Sequence, residues 1–308
     1  MKIAIVGAGG IGGYFGALLA RAGENVHFLV RSHSVPVLRE QGITIESAVT
    51  PLRLDTVQAS DDPASVGAAD LVVFAVKLPD AQAAARQVAP LVGPHTVVVP
   101  FQNGVESAGL FAGVVPEAQV ARGVAYIATA LRAPGVVVHS GPFARLLFGA
   151  LDPLQLPALE AFGRACERAR IDARLVPDIR TELWQKFVFL VGLSAMTAVT
   201  RMPAGVIRAD PDMRAALREV MREAWAVGRA EGVDLGEDFV DGRIAFFDSL
   251  PDTMQASMLH DLKAGRPLEL PWLSGAVARL GKLHGIATPV NATIVAALKP
   301  YAAGAPAG

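Results

Sequence analysis

The chain has 308 residues, of which 52% are hydrophobic and 19% charged, with a formal net charge of −1. This balance supports a substantial core and two domains, excludes gross disorder, and provides no basic field for nucleic acid. Cys166 is the only cysteine and the six histidines are scattered, so an intrachain disulfide is impossible and no metal site is expected.

Residues 1–6 read as a short apolar strand that runs into Gly7-Ala8-Gly9-Gly10-Ile11-Gly12-Gly13, after which an Ala-rich apolar stretch opens a helix. Strand, glycine turn and helix in this order form the dinucleotide-binding fingerprint. Gly7 permits the tight turn. Gly9 lets backbone N–H groups approach a pyrophosphate, and Gly12 allows close helix–strand packing. The helix N-terminus offers free donors and a partial positive charge to the anion.

Strands are expected at 25–30, 71–76 and 96–100, alternating with helix-like stretches, which implies a parallel sheet covered on both faces. Later strands at 120–128, 136–139 and 146–148 alternate in a way that suits an antiparallel or mixed edge. A helix at 158–169 and a last strand at 173–176 complete a Rossmann-type domain over 1–176. From 177 to 308 the strand signal disappears. Apolar-periodic stretches at 182–199, 213–231, 239–247, 252–264 and 272–284 predict an all-α domain, with Gly232, Gly265 and Gly285 at C-cap positions. Residues 302–308 are expected to fray. No apolar run reaches the ~18–20 residues of a membrane span, and the start lacks signal-peptide features, so a cytoplasmic location is expected.

An NAD-binding sequence usually carries Asp or Glu at the end of the second strand. Here that place holds Arg31, followed by Ser32. A guanidinium there can bind a 2′-phosphate, which favours NADP(H). Lys77 and Asn103 stand at the ends of the next two strands, at the edge where an open α/β sheet takes its ligand. The bland readings are a surface lysine and a turn residue before Gly104.

In the second half, Lys186 is one cation in the almost wholly apolar run Leu183-Trp184-Gln185-Lys186-Phe187-Val188-Phe189-Leu190. A buried ammonium without a partner is costly, so Lys186 either snorkels outward or faces a polar cavity holding a carboxylate or ligand. Leu190 and Ser194 follow it at four-residue spacing on one face. Glu269, among apolar neighbours before Pro271, is a candidate counter-charge, although it could simply favour a helix dipole.

Taken together, these residues resemble the ketopantoate reductase (2-dehydropantoate 2-reductase) family, within the 6-phosphogluconate-dehydrogenase-like superfamily. The marks are the opening from Lys2 to Gly12, Val76-Lys77, Gln102-Asn103-Gly104, the run from Arg180 to Lys186, Ser257-Met258-Leu259-His260-Asp261 leading to Gly265-Arg266-Pro267-Leu268-Glu269, and His284-Gly285-Ile286-Ala287-Thr288-Pro289-Val290-Asn291. The resemblance implies a Rossmann domain, a helical C-terminal domain, an active site in the cleft between them, and hydride transfer from NADPH to a 2-oxo acid. By the same resemblance, Lys186 is the general acid and Glu269 binds the substrate hydroxyl and supports the lysine. Asn103 lies near nicotinamide and substrate, Ser257 contacts the substrate carboxylate, and Ser194 lines the substrate side. Gly7, Gly9, Gly10, Ile11, Gly12, Arg31 and Lys77 hold the cofactor.

Leu190, Ser194 and Met254 stand where the family usually has asparagines, and Pro271 where it often has an acid. The cofactor half is therefore intact and the substrate half altered. Ketopantoate is the first candidate substrate, ahead of another 2-oxo acid or ketone. A non-catalytic NADP(H)-binding sensor and an NAD-dependent hydroxyacid dehydrogenase are the remaining alternatives. A homodimer through the helical half is also expected.

Overall fold

The structure is a computed structural model that describes residues 1–305. It consists of two compact units: Met1–Gln102 with Glu106–Ile179, and Asn103–Val105 with the chain from Arg180 onward.

The first unit runs β1 (Lys2–Val6), α1 (Gly10–Arg21), β2 (Asn25–Leu29), α2 (Val35–Gln41), β3 (Ile43–Glu46), β4 (Leu52–Leu54), β5 (Gln58–Ser60), α3 (Pro63–Val66), β6 (Ala69–Phe74), α4 (Leu78–Ala85), β7 (Val92–Pro100), β8 (Arg122–Ala133), β9 (Val136–Gly149), α5 (Leu156–Arg168) and β10 (Asp172–Leu175). Five strands form one parallel sheet in the order β5-β2-β1-β6-β7. Its central strands are apolar because both faces are covered. Ile3 and Ile5 enter one core with Phe15, Phe28 and Phe162, whereas Ala4 and Val6 enter another with Phe74, Leu91 and Phe111.

The later strands differ from expectation. They meet the parallel sheet only at the isolated parallel bridge between Val98 and Val120 and otherwise build a second, mixed sheet, β10-β9-β3-β4, with β8 antiparallel to β9. Ser140-Gly141-Pro142 does not divide β9. Gly141 takes φ +81° and the register against β8 shifts between Ile127 and Ala128, so an irregularity absorbs the break. The short strands β3, β4 and β5 carry too few residues for a periodic signal, and two of them are fixed by distant partners: β3 by β9 and β5 by β2.

Among the described residues the regular elements of the second unit are helices: α6 (Ile179–Thr200), which the division cuts after its first residue, α7 (Ala204–Ala209), α8 (Pro211–Ala230), α9 (Phe239–Asp248), α10 (Ser257–Lys263), α11 (Ser274–His284) and α12 (Pro289–Leu298). By length and composition α6 could cross a membrane, but 67% of its apolar window is buried, as befits a core helix. The helix expected at 252–264 begins only at Ser257. Upstream of it, Arg208 gathers the carbonyls of Phe247, Asp248 and Leu250 and pairs with Asp252, holding the segment as a turn. Gly232, Gly265 and Gly285 have φ of +81°, +61° and +68°, as their cap positions require. Residues 302–305 do not fray. Ala302 accepts from the Leu268 amide at 3.0 Å, and the Ala305 amide donates to Gly265 at 3.1 Å. The rest of the expected fraying tail, 306–308, lies outside the described residues.

One acid of α8 is buried. Glu223 is 6% exposed and accepts from the amides of Val290 and Asn291 and from Asn291 Nδ2, each at 2.8 Å. A side chain from α8 therefore caps the first turn of α12. Glu223→Ala removes all three bonds, leaving the buried Asn291 amide without this acceptor and Asn291 Nδ2 with only the Val220 carbonyl at 3.2 Å; it is expected to cost about 3 kcal/mol in a urea titration, with Glu223→Gln losing less.

Candidate active site

The glycine turn fits a dinucleotide. Gly7 has φ +94°, a conformation that L side chains rarely adopt. A Cβ on Gly12 would run into the Gly7 carbonyl oxygen and lie 2.9 Å from Ile5 Cγ2, so α1 and β1 touch at this point. A Cβ on Gly9 would meet nothing within 4 Å. The space before α1 is open, and no side chain caps that helix. This is the cradle a pyrophosphate needs.

Gly10 and Ile11 form the first turn of α1. A Cβ on Gly10 would fall 2.6 Å from Thr129 Oγ1, so β8 brings a hydroxyl beside that turn. Nothing local in the sequence marks Thr129, because only the second sheet brings it there. Arg31 follows β2 and Lys77 is the N-cap of α4, after β6, both at strand C-termini. The structure does not leave the Arg31 guanidinium open: Nη2 donates to Asp80 Oδ2 at 2.5 Å. Asp80 stands three residues beyond Lys77, and nothing local in the sequence marks it.

In the helical unit, three of the expected residues meet. Lys186 Nζ donates to Asn103 Oδ1 at 2.9 Å, and Asn103 Nδ2 donates to Glu269 Oε2 at 3.0 Å. The orientation of the amide is dictated by its partners, since an ammonium only donates and a carboxylate only accepts. Each residue has a local reason for its place. Lys186 projects from α6, where Trp184 and Phe187 pack edge to face, their rings 5.2 Å apart, and anchor the helix in the core. Asn103 follows directly on the β7 segment, yet residues 103–105 make their contacts with the helical unit. Gly104 allows this: at φ +91° its Cα faces the Trp272 carbonyl, which a Cβ would approach to 3.2 Å. Glu269 precedes the 3-10 turn Leu270–Trp272 without capping it by its side chain, so the carboxylate is available to Asn103.

All three residues are half-buried. Withdrawal from water pulls the Lys186 ammonium down from 10.5 to about 8, and the negative charge of Glu269 limits the fall. A lysine near the working pH can give up its proton, which an ordinary surface lysine does poorly.

Ser194 lies two turns along α6, 1% exposed, its hydroxyl without a hydrogen-bond partner among the described residues. Ser257 opens α10 and is exposed. Leu190 and Met254 pack, partly buried, on the helical core. Cys166 is fully buried and its thiol is pushed up to about 12, which makes it inert.

A parallel sheet with a glycine cradle, joined in one chain to a helical unit carrying a tuned lysine, defines an oxidoreductase of the dinucleotide-binding class. The family model for ketopantoate reductase PanE/ApbA matches residues 3–153, and the one for its C terminal region matches residues 178–302. This chain belongs to the ketopantoate reductase family. It is 32% identical to the 2-dehydropantoate 2-reductase of Caulobacter vibrioides over 302 residues, covering 98% of this chain and 99% of that one. Among solved structures, a PanE/ApbA family ketopantoate reductase from Ralstonia eutropha JMP134 aligns with a TM-score of 0.87 at 32% identity, over 98% of each chain. The 2-dehydropantoate 2-reductase from Geobacter metallireducens GS-15 aligns with a TM-score of 0.90 at 29% identity, over 97% of this chain and 99% of that one.

Proposed function

We propose that this protein reduces a 2-oxo acid to a 2-hydroxy acid with NADPH, with ketopantoate to pantoate, a step of pantothenate biosynthesis, as the first candidate. The observation that carries the reading is the Lys186–Asn103–Glu269 chain of hydrogen bonds. The cofactor, when bound, supplies the hydride that adds to the keto carbon. The protein must stabilise the negative charge that grows on the carbonyl oxygen and deliver one proton to it. Lys186 does both: its ammonium donates a hydrogen bond to the oxygen and then its proton. Asn103 fixes the direction of Nζ, so little reorganisation is needed at the moment of reaction. Glu269 keeps the ammonium charged at neutral pH and accepts from the product hydroxyl.

Gly7, Gly9, Gly10, Ile11 and Gly12 would hold the pyrophosphate, and Arg31 with Lys77 the phosphates of the adenosine end. Arg31 in place of an acid after β2 supports NADPH over NADH. The substrate-binding role extends to Ser194 and Ser257. The proposed domain roles are NADP(H) binding over 1–176 and substrate binding with catalysis over 177–308, in a cytoplasmic homodimer.

A second reading rests on Leu190 and Met254. They place apolar side chains where amides would otherwise recognise a polar group, which favours a 2-oxo acid or ketone with a more apolar side chain. One initial-rate screen tests both readings: NADPH oxidation with ketopantoate and a panel of aliphatic and aromatic 2-oxo acids. Acceleration by ketopantoate supports the first reading, and selective acceleration by apolar 2-oxo acids the second. Tight NADPH binding with no acceleration anywhere would leave only a non-catalytic binding protein.

A further inference from the structure

The Arg31–Asp80 pair lies within the cofactor side of the proposed function and rests on that reading. In the sheet, β2 and β6 flank β1 on opposite sides. Arg31 comes after β2, and Asp80 sits in the first turn of α4, after β6. Their ion pair, 49 residues apart in sequence and 2.5 Å apart in space, therefore joins the loops on either side of the glycine turn of β1. An acid in a first helical turn has an ordinary reason to be there, since it favours the helix dipole. That reason does not account for a carboxylate engaged with the one guanidinium placed for a 2′-phosphate.

Both partners are open to solvent, with side chains 68% and 51% exposed, so the pair itself adds little to stability. Its effect falls on the ligand. A 2′-phosphate that binds Arg31 must displace Asp80 or share the guanidinium with it, and two like charges then stand side by side. A ribose 2′-hydroxyl carries no charge and meets no such repulsion. We infer that Asp80 is a specificity-determining residue: the counter-charge of Arg31, which holds the preference for NADPH over NADH below the level Arg31 alone would set.

Equilibrium titrations of NADPH and NADH into wild type, Asp80→Asn and Arg31→Ala, read by cofactor fluorescence, test this without recourse to turnover. Asp80→Asn keeps the side-chain shape and removes the charge. It should tighten NADPH about threefold to tenfold at low ionic strength, leave NADH within about twofold, and lose most of the gain in high salt, as exposed charges do. An unchanged or weaker NADPH affinity overturns the inference and makes Asp80 a mere support for Arg31. Equal tightening of both cofactors also overturns it. Arg31→Ala tests the underlying reading separately: if that variant keeps the wild-type affinity for NADPH, the assignment of Arg31 falls, whatever Asp80 does.

Discussion

Lys186→Ala lowers kcat by about 10³-fold while the Kd for NADPH stays within about threefold. The large loss follows from two functions resting on one group. In the proposed mechanism the ammonium stabilises the developing alkoxide and supplies its proton, and no other described group is held in the same way by Asn103 and Glu269. The small effect on cofactor binding follows from the proposed division of roles, because the glycine cradle is built by β1 and α1 in the first unit. The substitution also leaves the fold intact. The folded-state pKa of Lys186 lies below its ordinary value, so at neutral pH burial of the charged form costs stability, and removing the charge relieves that cost. Steady-state rates, cofactor titration and a melting curve separate these effects. A kcat near wild type would remove Lys186 from the mechanism.

Gly12→Ala and Gly9→Ala give contrasting outcomes from one chemical change. In Gly12→Ala the new methyl collides with the Gly7 carbonyl and with Ile5 Cγ2, neither of which can yield without moving β1 from α1. Such overpacking costs about 2–3 kcal/mol and should weaken NADPH by about 100-fold or more, since the turn and the first helical N–H groups move together. In Gly9→Ala the methyl meets no protein atom within 4 Å, so stability is unchanged. The methyl instead enters the space proposed for the pyrophosphate, so affinity should fall while the melting temperature holds. If Gly9→Ala bound NADPH as wild type does, the cradle would serve only helix–strand packing.

Much of the site is legible in sequence because each part carries a local physical conflict or demand. A glycine run between strand and helix joins a tight turn, close helix–strand packing and open backbone donors at one place, and a lone lysine in an apolar helix needs a partner. What joins the parts is not local. Lys186 and Asn103 are 83 residues apart, and Asn103 and Glu269 166. No spacing rule predicts that the amide would stand between the two charges. Thr129 and Asp80 escaped notice for the same reason: a threonine in an alternating strand and an acid in a first helical turn have ordinary explanations until the sheets place them.

Some marked residues prove structural. Within the motif from His284 to Asn291, Gly285 takes the left-handed cap of α11, Pro289 begins α12, and Asn291 binds the buried Glu223. The helix boundaries around 252–257 and 270–274 are not legible in sequence, because apolar spacing continues through turns that Arg208 and the Leu270–Trp272 segment impose.

The most direct test of the central claim is the pH dependence of kcat/KM for reduction, measured at saturating NADPH on wild type and on Glu269→Gln. If the proton comes from Lys186, the wild-type rate is level below pH 8 and falls above it as the ammonium deprotonates. Removing the Glu269 charge, which holds that pKa up, moves the falling limb to lower pH. A rate that stays level well past pH 8, or a limb that does not move in Glu269→Gln, would contradict the account.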